Sequence, residues 1–238
     1  MPNIVLCGLS LLLPGWGRSF FILICCIFCV QIASASERGA GIQDGFIAPA
    51  PGSYKLNHIM QSPNGAVLDV DNKSRPLSAF TTGKITLLSF IYTTCSDANG
   101  CPLAYAVFYS LKREIENTPS MYNKIRLVSL SFDPQHDTPD IMRLYGGSQL
   151  QQSKGLEWDF LTTSSYRELQ PLLDGFGQSV SVEANPKKNS PRAFSHVLKI
   201  FLIDETGSIR EIYSSSYFVL GVVLNDMKTL LMEKAQEN

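Results

Sequence analysis

The sequence ITLLSFIYTTCSDANGCPLAY, residues 85–105, predicts the order of elements on which the fold depends. Residues 85–92 are almost all apolar and include β-branched and aromatic side chains, which is typical of a strand buried on both faces. Small polar residues then separate Cys95 from Cys101. Pro102 suits the first turn of a helix, and apolar residues recur at helical spacing as far as Glu116. We therefore expect a buried strand, a cysteine loop and a helix at 102–116.

Strands and helices continue to alternate along the rest of the chain. Apolar runs predict strands at 125–132, 158–161, 197–203 and 209–213, and periodicity with capping residues predicts helices at 140–145, 165–176 and 219–234. Upstream, short strands at 54–58 and 67–70 are expected to form a hairpin around an Asn64-Gly65 turn. The order favours an α/β domain with a mixed central sheet flanked by helices and an N-terminal strand or hairpin extension. This arrangement resembles the thioredoxin fold.

The first 35 residues differ in composition from the rest of the chain. They contain one charged residue, Arg18, an apolar run at 20–32 and an Ala-Ser-Ala cleavage pattern at 33–35. We expect residues 1–35 to be a signal peptide or a membrane anchor, and either implies export across a membrane. Residues 36–53, rich in Gly, Ala, Pro and Ser, predict a flexible linker. The domain itself is then expected at 54–238.

Charge and cysteine content narrow the classes of function. The formal net charge is −1 and no run of Lys or Arg occurs, so the sequence offers no basic surface for nucleic acid. The predicted domain retains Cys95 and Cys101, because four of the six cysteines lie in the leader: Cys7, Cys25, Cys26 and Cys29. A disulfide that closes so short a loop adds little stability, since its effect on the unfolded chain grows with loop length. Redox or metal chemistry is the better interpretation of the pair.

The two cysteines are expected at the carboxyl end of a buried strand, next to a helix N-terminus. Open α/β sheets bind ligands at this edge, and a helix N-terminus favours the thiolate form of cysteine. Two thiolates rarely complete a metal site, and the sequence offers three imidazoles as a third ligand: His58, His136 and His196. His196 precedes an apolar strand, His58 forms a soft pair with Met60, and His136 lies in a polar loop that we expect to be solvated.

The residues alone leave several chemistries open. Two thiolates with one imidazole suit Cu(I), and Cu(II) with an added ligand, whereas zinc normally needs a fourth donor and an iron–sulfur cluster four thiolates. Without metal, Cys95 and Cys101 would cycle between dithiol and disulfide, as in a thiol–disulfide oxidoreductase. A thiol peroxidase is a third alternative, for which Thr94 is available but no arginine lies near the loop in sequence.

Three stretches of the sequence resemble the Sco/SenC family of copper-binding, thioredoxin-fold proteins. They are SFIYTTC…CPLAY at 89–105, LVSLSFDPQHDTPDIMRLYG at 127–146 and FSHVLKIFLIDETGSIREIY at 194–213, and the motif at 133–139 is the most specific. The resemblance, which spans about 54–213, implies an exported, usually membrane-tethered protein facing the periplasm. Such a protein helps to metallate the binuclear copper centre of cytochrome c oxidase, as metallochaperone, as thiol–disulfide reductase of the apo-subunit, or both.

The resemblance also implies roles for individual residues. It assigns one copper ion, Cu(I) or Cu(II), to Cys95, Cys101 and His196, the two cysteines also being the redox pair. It places Asp133 next to the copper ligands without binding the ion, or in contact with a partner. The segment from Asp133 to Pro139 is equally well explained as a loop and helix cap. The expected partner is the copper-accepting subunit of cytochrome c oxidase or another exported copper protein, together with the membrane if the leader is retained.

The cysteine loop departs from the family pattern. The family usually has Cys-Pro, two residues and Cys-Pro, so that three residues separate its cysteines. Here five residues separate Cys95 from Cys101, and Ser96 stands at the place of the first proline. We expect the longer loop, which also lacks one rigid proline ring, to be more mobile. This departure leaves the copper affinity open and shifts the balance towards redox work.

Overall fold

The computed structural model describes residues 47–151, 155–182, 193–214 and 218–237 of the 238-residue chain. The predicted leader, 1–35, and residues 36–46 of the predicted linker lie outside the described residues. Among the helices described in these ranges, none combines the length and the apolar character needed to cross a membrane.

A six-stranded sheet forms the centre of the domain. Its members are β1 (Met60–Gln61), β4 (Ile85–Ile91), β5 (Ile125–Ser131), β6 (Glu157–Leu161), β9 (Lys199–Ile203) and β10 (Ser208–Ser214). Their order across the sheet is β1-β10-β9-β4-β5-β6. β4, β5 and β6 are parallel, whereas the pairs β4–β9, β9–β10 and β10–β1 are antiparallel. Two further antiparallel pairs lie outside this sheet: β2 (Ala66–Leu68) with β3 (Ser74–Pro76), and β7 (Val180–Val182) with β8 (Phe194–His196).

Five α-helices accompany the strands in the described ranges. They are α1 (Ser78–Thr81), α2 (Cys101–Glu116), α3 (Pro139–Gly146), α4 (Tyr166–Gly175) and α5 (Leu220–Glu237), with short 3-10 turns at Pro119–Met121 and Gly147–Leu150. The described end of the linker contacts α5, because the Gly52 N–H donates to Thr229 Oγ1 (3.0 Å) and the Asn225 amide donates to the Pro49 carbonyl (2.9 Å).

The central strand β4 is buried along its whole length, as its apolar sequence predicts. Its register with β5 runs from Ile85 opposite Ile125 to Ile91 opposite Ser131. The ring of Phe90 meets the rings of Phe176 and Phe201 edge-on, at centroid distances of 5.3 and 6.2 Å. Because β4 and β5 are parallel, their carboxyl ends emerge at one edge of the sheet, and this edge carries the cysteine loop and the motif at 133–139.

The predicted mixed sheet flanked by helices is confirmed. The predicted strands at 125–132 and 158–161 and the predicted helices at 102–116, 165–176 and 219–234 correspond to β5, β6, α2, α4 and α5, with ends that differ by a few residues. The helix predicted at 140–145 is α3, and the strand predicted at 209–213 is β10.

The prediction of the N-terminal hairpin is wrong about which strands form it. Residues 54–58 form no strand, and the hairpin is instead β2 with β3, turning at 69–73. Asp69 makes this turn, since its Oδ1 accepts the N–H groups of Asp71 and Lys73 (both 2.9 Å). The Asn64-Gly65 pair serves α1 instead, because Asn64 Oδ1 accepts the Ser78 N–H (2.9 Å).

The core contains a buried side-chain hydrogen bond whose loss should be measurable. Trp158 Nε1–H donates to Ser129 Oγ (3.1 Å), joining β6 to β5. We expect Ser129→Ala to lower the free energy of unfolding by about 1–3 kcal/mol, because it leaves a buried N–H without its acceptor. The exposed Ser110→Ala on α2 should change it by less than about 0.5 kcal/mol. Urea unfolding of the two variants checks the difference, and equal stabilities would show that the Trp158 bond contributes nothing.

Candidate metal centre

Cys95, Cys101 and His196 converge on one point at the carboxyl edge of the sheet. One ligand atom from each residue lies within 4.8 Å of the others. Cys101 Sγ lies 3.8 Å from His196 Nε2. Both cysteines are free thiols. The sequence separation between the second cysteine and the histidine is 95 residues, so the fold and not the local sequence creates the cluster.

Cys101 is the inner sulfur of the cluster. It is the first residue of α2 and is 1% exposed. The Tyr92 N–H, which directly follows β4, donates to its Sγ (3.3 Å) and fixes the sulfur against the end of the strand. Burial raises the pKa of the Cys101 thiol far above its usual range and outweighs the lowering expected from the helix N-terminus, and the neighbouring Cys95 adds to the rise. The free thiol therefore stays protonated at neutral pH, and a metal has to displace its proton.

Cys95 is the outer sulfur and is only half-buried. Asp97 shapes the loop between the two cysteines, because its Oδ1 accepts the Asn99 N–H (3.0 Å) and its carbonyl accepts the Gly100 N–H (2.9 Å). A Cβ atom at Gly100 would lie 3.2 Å from Cys95 Sγ and 3.3 Å from the Asp97 carbonyl. The turn-forming residues thus let a five-residue loop fold tightly enough to keep both sulfurs in one cluster.

The His196 ring is held by aromatic neighbours. It packs edge-on against Phe132 (4.9 Å between centroids) and Tyr92 (6.1 Å). Burial lowers the pKa of His196, so the ring is neutral at pH 7 and has a free lone pair for a metal. Its Nδ1 is buried and makes no hydrogen bond of normal geometry with the described residues. The sequence predicts His196 just before a strand at 197–203. It belongs instead to the short strand β8, and β9 begins only at Lys199.

Asp137 ties the cysteine loop to the neighbouring strand, and the sequence interpretation missed this role. Its carboxylate is fully buried and accepts the Thr93 N–H (3.0 Å), the Thr93 hydroxyl (2.5 Å) and the Ser131 hydroxyl (2.6 Å). Thr93 lies two residues before Cys95, and Ser131 ends β5. The helix cap expected within 133–139 is Thr138, whose Oγ1 accepts the Ile141 N–H (3.4 Å), and Pro139 follows in the first turn of α3.

Asp133 and the other two histidines lie outside the cluster of three ligand atoms. Asp133 is 2% exposed and accepts the Tyr166 hydroxyl (3.0 Å), while its N–H donates to Ser131 Oγ (3.0 Å). His58 Nδ1 contacts the Ser208 hydroxyl on β10. His136 is half-exposed, with Nδ1 3.1 Å from Asp137 Oδ1.

The donor set fits a soft metal ion. Two thiol sulfurs and one neutral imidazole match the preferences of copper, and none of the carboxylates in the described part of the chain belongs to the cluster. The buried Nδ1 adds to this fit, because a ring bound to a metal through Nε2 carries its hydrogen on Nδ1.

The chain resembles known proteins in sequence pattern and in fold. The model of the SCO1/SenC family matches residues 69–231. The comparison with curated proteins finds no match. Among solved structures, Arabidopsis thaliana ScoI with copper bound is similar with a TM-score of 0.59 at 17% identity, covering 73% of this chain and 99% of that one.

Two further structures have the same fold. BsSco, a member of the Sco family of cytochrome c oxidase assembly proteins, has a TM-score of 0.55 at 20% identity, covering 75% of this chain and 98% of that one. A SCO1/SenC family lipoprotein from Bacillus anthracis str. Ames has a TM-score of 0.55 at 20% identity, covering 71% and 94%. Because the family model matches more than half of the sequence, the chain belongs to the SCO1/SenC family, as its motifs predict.

Proposed function

We propose that the protein is an exported copper-binding metallochaperone that helps to assemble the binuclear copper centre of cytochrome c oxidase. The observation that carries the proposal is the convergence of two sulfurs and an imidazole nitrogen within 4.8 Å. The relatives support it: one is solved with copper bound, another belongs to the cytochrome c oxidase assembly proteins, and a third is a lipoprotein, in keeping with export.

The three proposed copper ligands differ in exposure, which suits a protein that must both hold and release its cargo. Cys101 is buried and fixed by the Tyr92 N–H, and His196 is packed between aromatic rings. Cys95 lies on the loop and is partly exposed. A thiolate of the copper-accepting protein can therefore reach the ion from the Cys95 side, while Cys101 and His196 keep it in place. The acceptor is a subunit of cytochrome c oxidase or another exported copper protein.

Asp133 has an internal role in this proposal. A side chain that is 2% exposed offers almost no surface to a partner. Its contacts with Tyr166 and Ser131 join α4 to the end of β5, next to the Asp137 carboxylate. We assign it to the support of the edge that carries the ligands, and not to partner contact.

Thiol–disulfide exchange is the second candidate function, and the free thiols of Cys95 and Cys101 within one cluster favour it. The partly exposed Cys95, as thiolate, attacks a partner disulfide, forms a mixed disulfide and releases one partner sulfur as thiolate. Cys101 passes its proton to that thiolate and attacks Cys95 Sγ, which releases the second partner sulfur as thiolate and leaves a Cys95–Cys101 disulfide. Two electrons pass from the pair to the partner, and the oxidised pair can no longer bind copper.

Copper binding should depend on His196 and not on histidine in general. The experiment uses the full chain with Cys7, Cys25, Cys26 and Cys29 replaced by serine, so that Cys95 and Cys101 are its only thiols. We expect it to bind about one Cu(I) per chain, and His196→Ala to weaken the affinity at least roughly tenfold because one of three ligands is lost. His58→Ala is the matched control and should bind like the parent. Competition with a chromophoric Cu(I) chelator measures all three, and equal affinities would refute the three-ligand site.

The two thiols should react at different rates in the metal-free protein. In the same four-serine chain we expect iodoacetamide to label Cys95 at least roughly tenfold faster than Cys101 at pH 7.5. Cys101 is buried and its raised pKa leaves little thiolate, which is the reactive form. Peptide mapping by mass spectrometry gives both rates. Faster labelling of Cys101 would contradict the assignment of Cys95 as the attacking and exchanging sulfur.

A further inference from the structure

The segment that carries His196 is held by the side chain of Gln178. Val197 and Leu198 connect β8, which pairs with β7, to β9 of the central sheet, and they belong to neither strand. Gln178 is 3% exposed, and its Nε2 donates to the Val197 carbonyl (3.0 Å). Lys199 Nζ adds a second tie, since it donates to the Gly177 carbonyl (2.7 Å). The residue directly after the imidazole is thus fixed by a buried amide.

The backbone of Gln178 is itself fixed by the end of α4. Gly177 adopts a φ of +60°, a conformation that glycine reaches without strain and that commonly ends a helix. The Gln178 N–H then turns back to donate to the Leu173 carbonyl (2.8 Å). Leu169 and Leu172 bury the same helix in the core. Gln178 therefore connects a rigid element to the His196 segment, and the β7–β8 pairing places Val180 opposite His196.

Two buried polar atoms near Val197 make no hydrogen bond of normal geometry with the described residues, although the Val197 backbone lies within hydrogen-bonding reach of the His196 ring. They are Gln178 Oε1, an acceptor, and His196 Nδ1. Buried polar groups in proteins are nearly always hydrogen-bonded, because an unpaired group costs about 1–3 kcal/mol. Nε2 of the ring faces Cys101 Sγ, so a metal bound there puts the hydrogen on Nδ1 and makes that atom a donor. The orphaned acceptor and the new donor are complementary.

We propose that Gln178 is a positioning residue for His196. Its amide nitrogen holds the Val197 carbonyl so that the ring faces Cys101, and its Oε1 accepts the Nδ1–H of the metal-bound ring, directly or through one water. The proposal rests on the proposed copper site and extends it to a residue that contacts neither the ion nor the sulfurs. Partners of this kind orient the ring of a ligating histidine and raise its basicity, and their loss typically weakens metal binding about 10–100-fold.

The test compares Gln178→Met with a control variant that also loses a buried polar group. Both are made in the full chain with the four leader cysteines replaced by serine. Methionine has the length of glutamine but neither donates nor accepts a strong hydrogen bond. Thr86→Val is the control, because it removes a buried hydroxyl that donates to the Phe80 carbonyl (3.1 Å) at the opposite end of β4. We expect Gln178→Met to weaken Cu(I) binding roughly 10–100-fold and to change the nitrogen hyperfine coupling in the electron paramagnetic resonance spectrum of the Cu(II) protein. Thr86→Val should leave both unchanged.

A second variant keeps the test decisive if Gln178→Met does not fold. Gln178→Glu retains an oxygen acceptor but loses the donor to Val197, so we expect weaker copper binding than in the parent and an altered nitrogen coupling. Where both variants fold, Gln178→Glu should bind copper more tightly than Gln178→Met because the acceptor remains. A parental affinity and spectrum in either variant would overturn the proposal, and so would equal losses in both.

A third variant, His196→Ala, distinguishes a wrong role for Gln178 from a wrong copper site. His196→Ala is measured alongside. If His196→Ala binds copper like the parent, the three-ligand site fails, and the role of Gln178 fails with it. If His196→Ala loses affinity while Gln178→Met behaves like Thr86→Val, the copper site stands and the role of Gln178 is refuted.

Discussion

The antiparallel pairing of β4 with β9 is the constraint on which the metal centre depends. Ser89 lies opposite Ile200 near the carboxyl end of β4, so β9 begins where β4 ends. The cysteine loop leaves one strand and the His196 segment enters the other at the same edge of the sheet. A register shift of two residues would move either partner by about 7 Å, which exceeds the 4.8 Å span of the three ligand atoms. The positions of the sulfurs and the imidazole are therefore consequences of sheet pairing.

The edge of the sheet also accounts for the different character of the two sulfurs. Cys101 begins α2 and is covered by it, whereas Cys95 sits on a loop whose attachment is the Asp137 carboxylate. One sulfur is thereby fixed and kept protonated in the absence of metal, and the other is available to a partner. Both proposed functions use this asymmetry. A copper ion can be handed on from the Cys95 side, and a disulfide can be attacked from it.

Sequence patterns predicted the parts of the fold that depend on local composition. The apolar run of β4, the proline at the start of α2 and the periodicity of α5 each indicate their element directly. The hairpin failed because Asn64 uses its side chain to bond Ser78 instead of forming a tight turn, while Asp69 organises the real turn. The motif resemblance indicated Cys95, Cys101 and His196 as ligands. The roles of Asp137 and Gln178 beside the metal centre could not be predicted from the sequence, because each residue acts through contacts that only the tertiary structure creates.

X-ray absorption at the copper edge reports directly whether Cys95, Cys101 and His196 bind one ion. The sample is the full chain with the four leader cysteines replaced by serine, loaded with one equivalent of Cu(I). We expect a first coordination sphere of two sulfur atoms and one nitrogen or oxygen atom, with outer-sphere scattering from an imidazole ring. A first coordination sphere that contains only sulfur atoms, or a spectrum without outer-sphere scattering from an imidazole ring, would contradict the convergence of Cys95, Cys101 and His196 on a single ion.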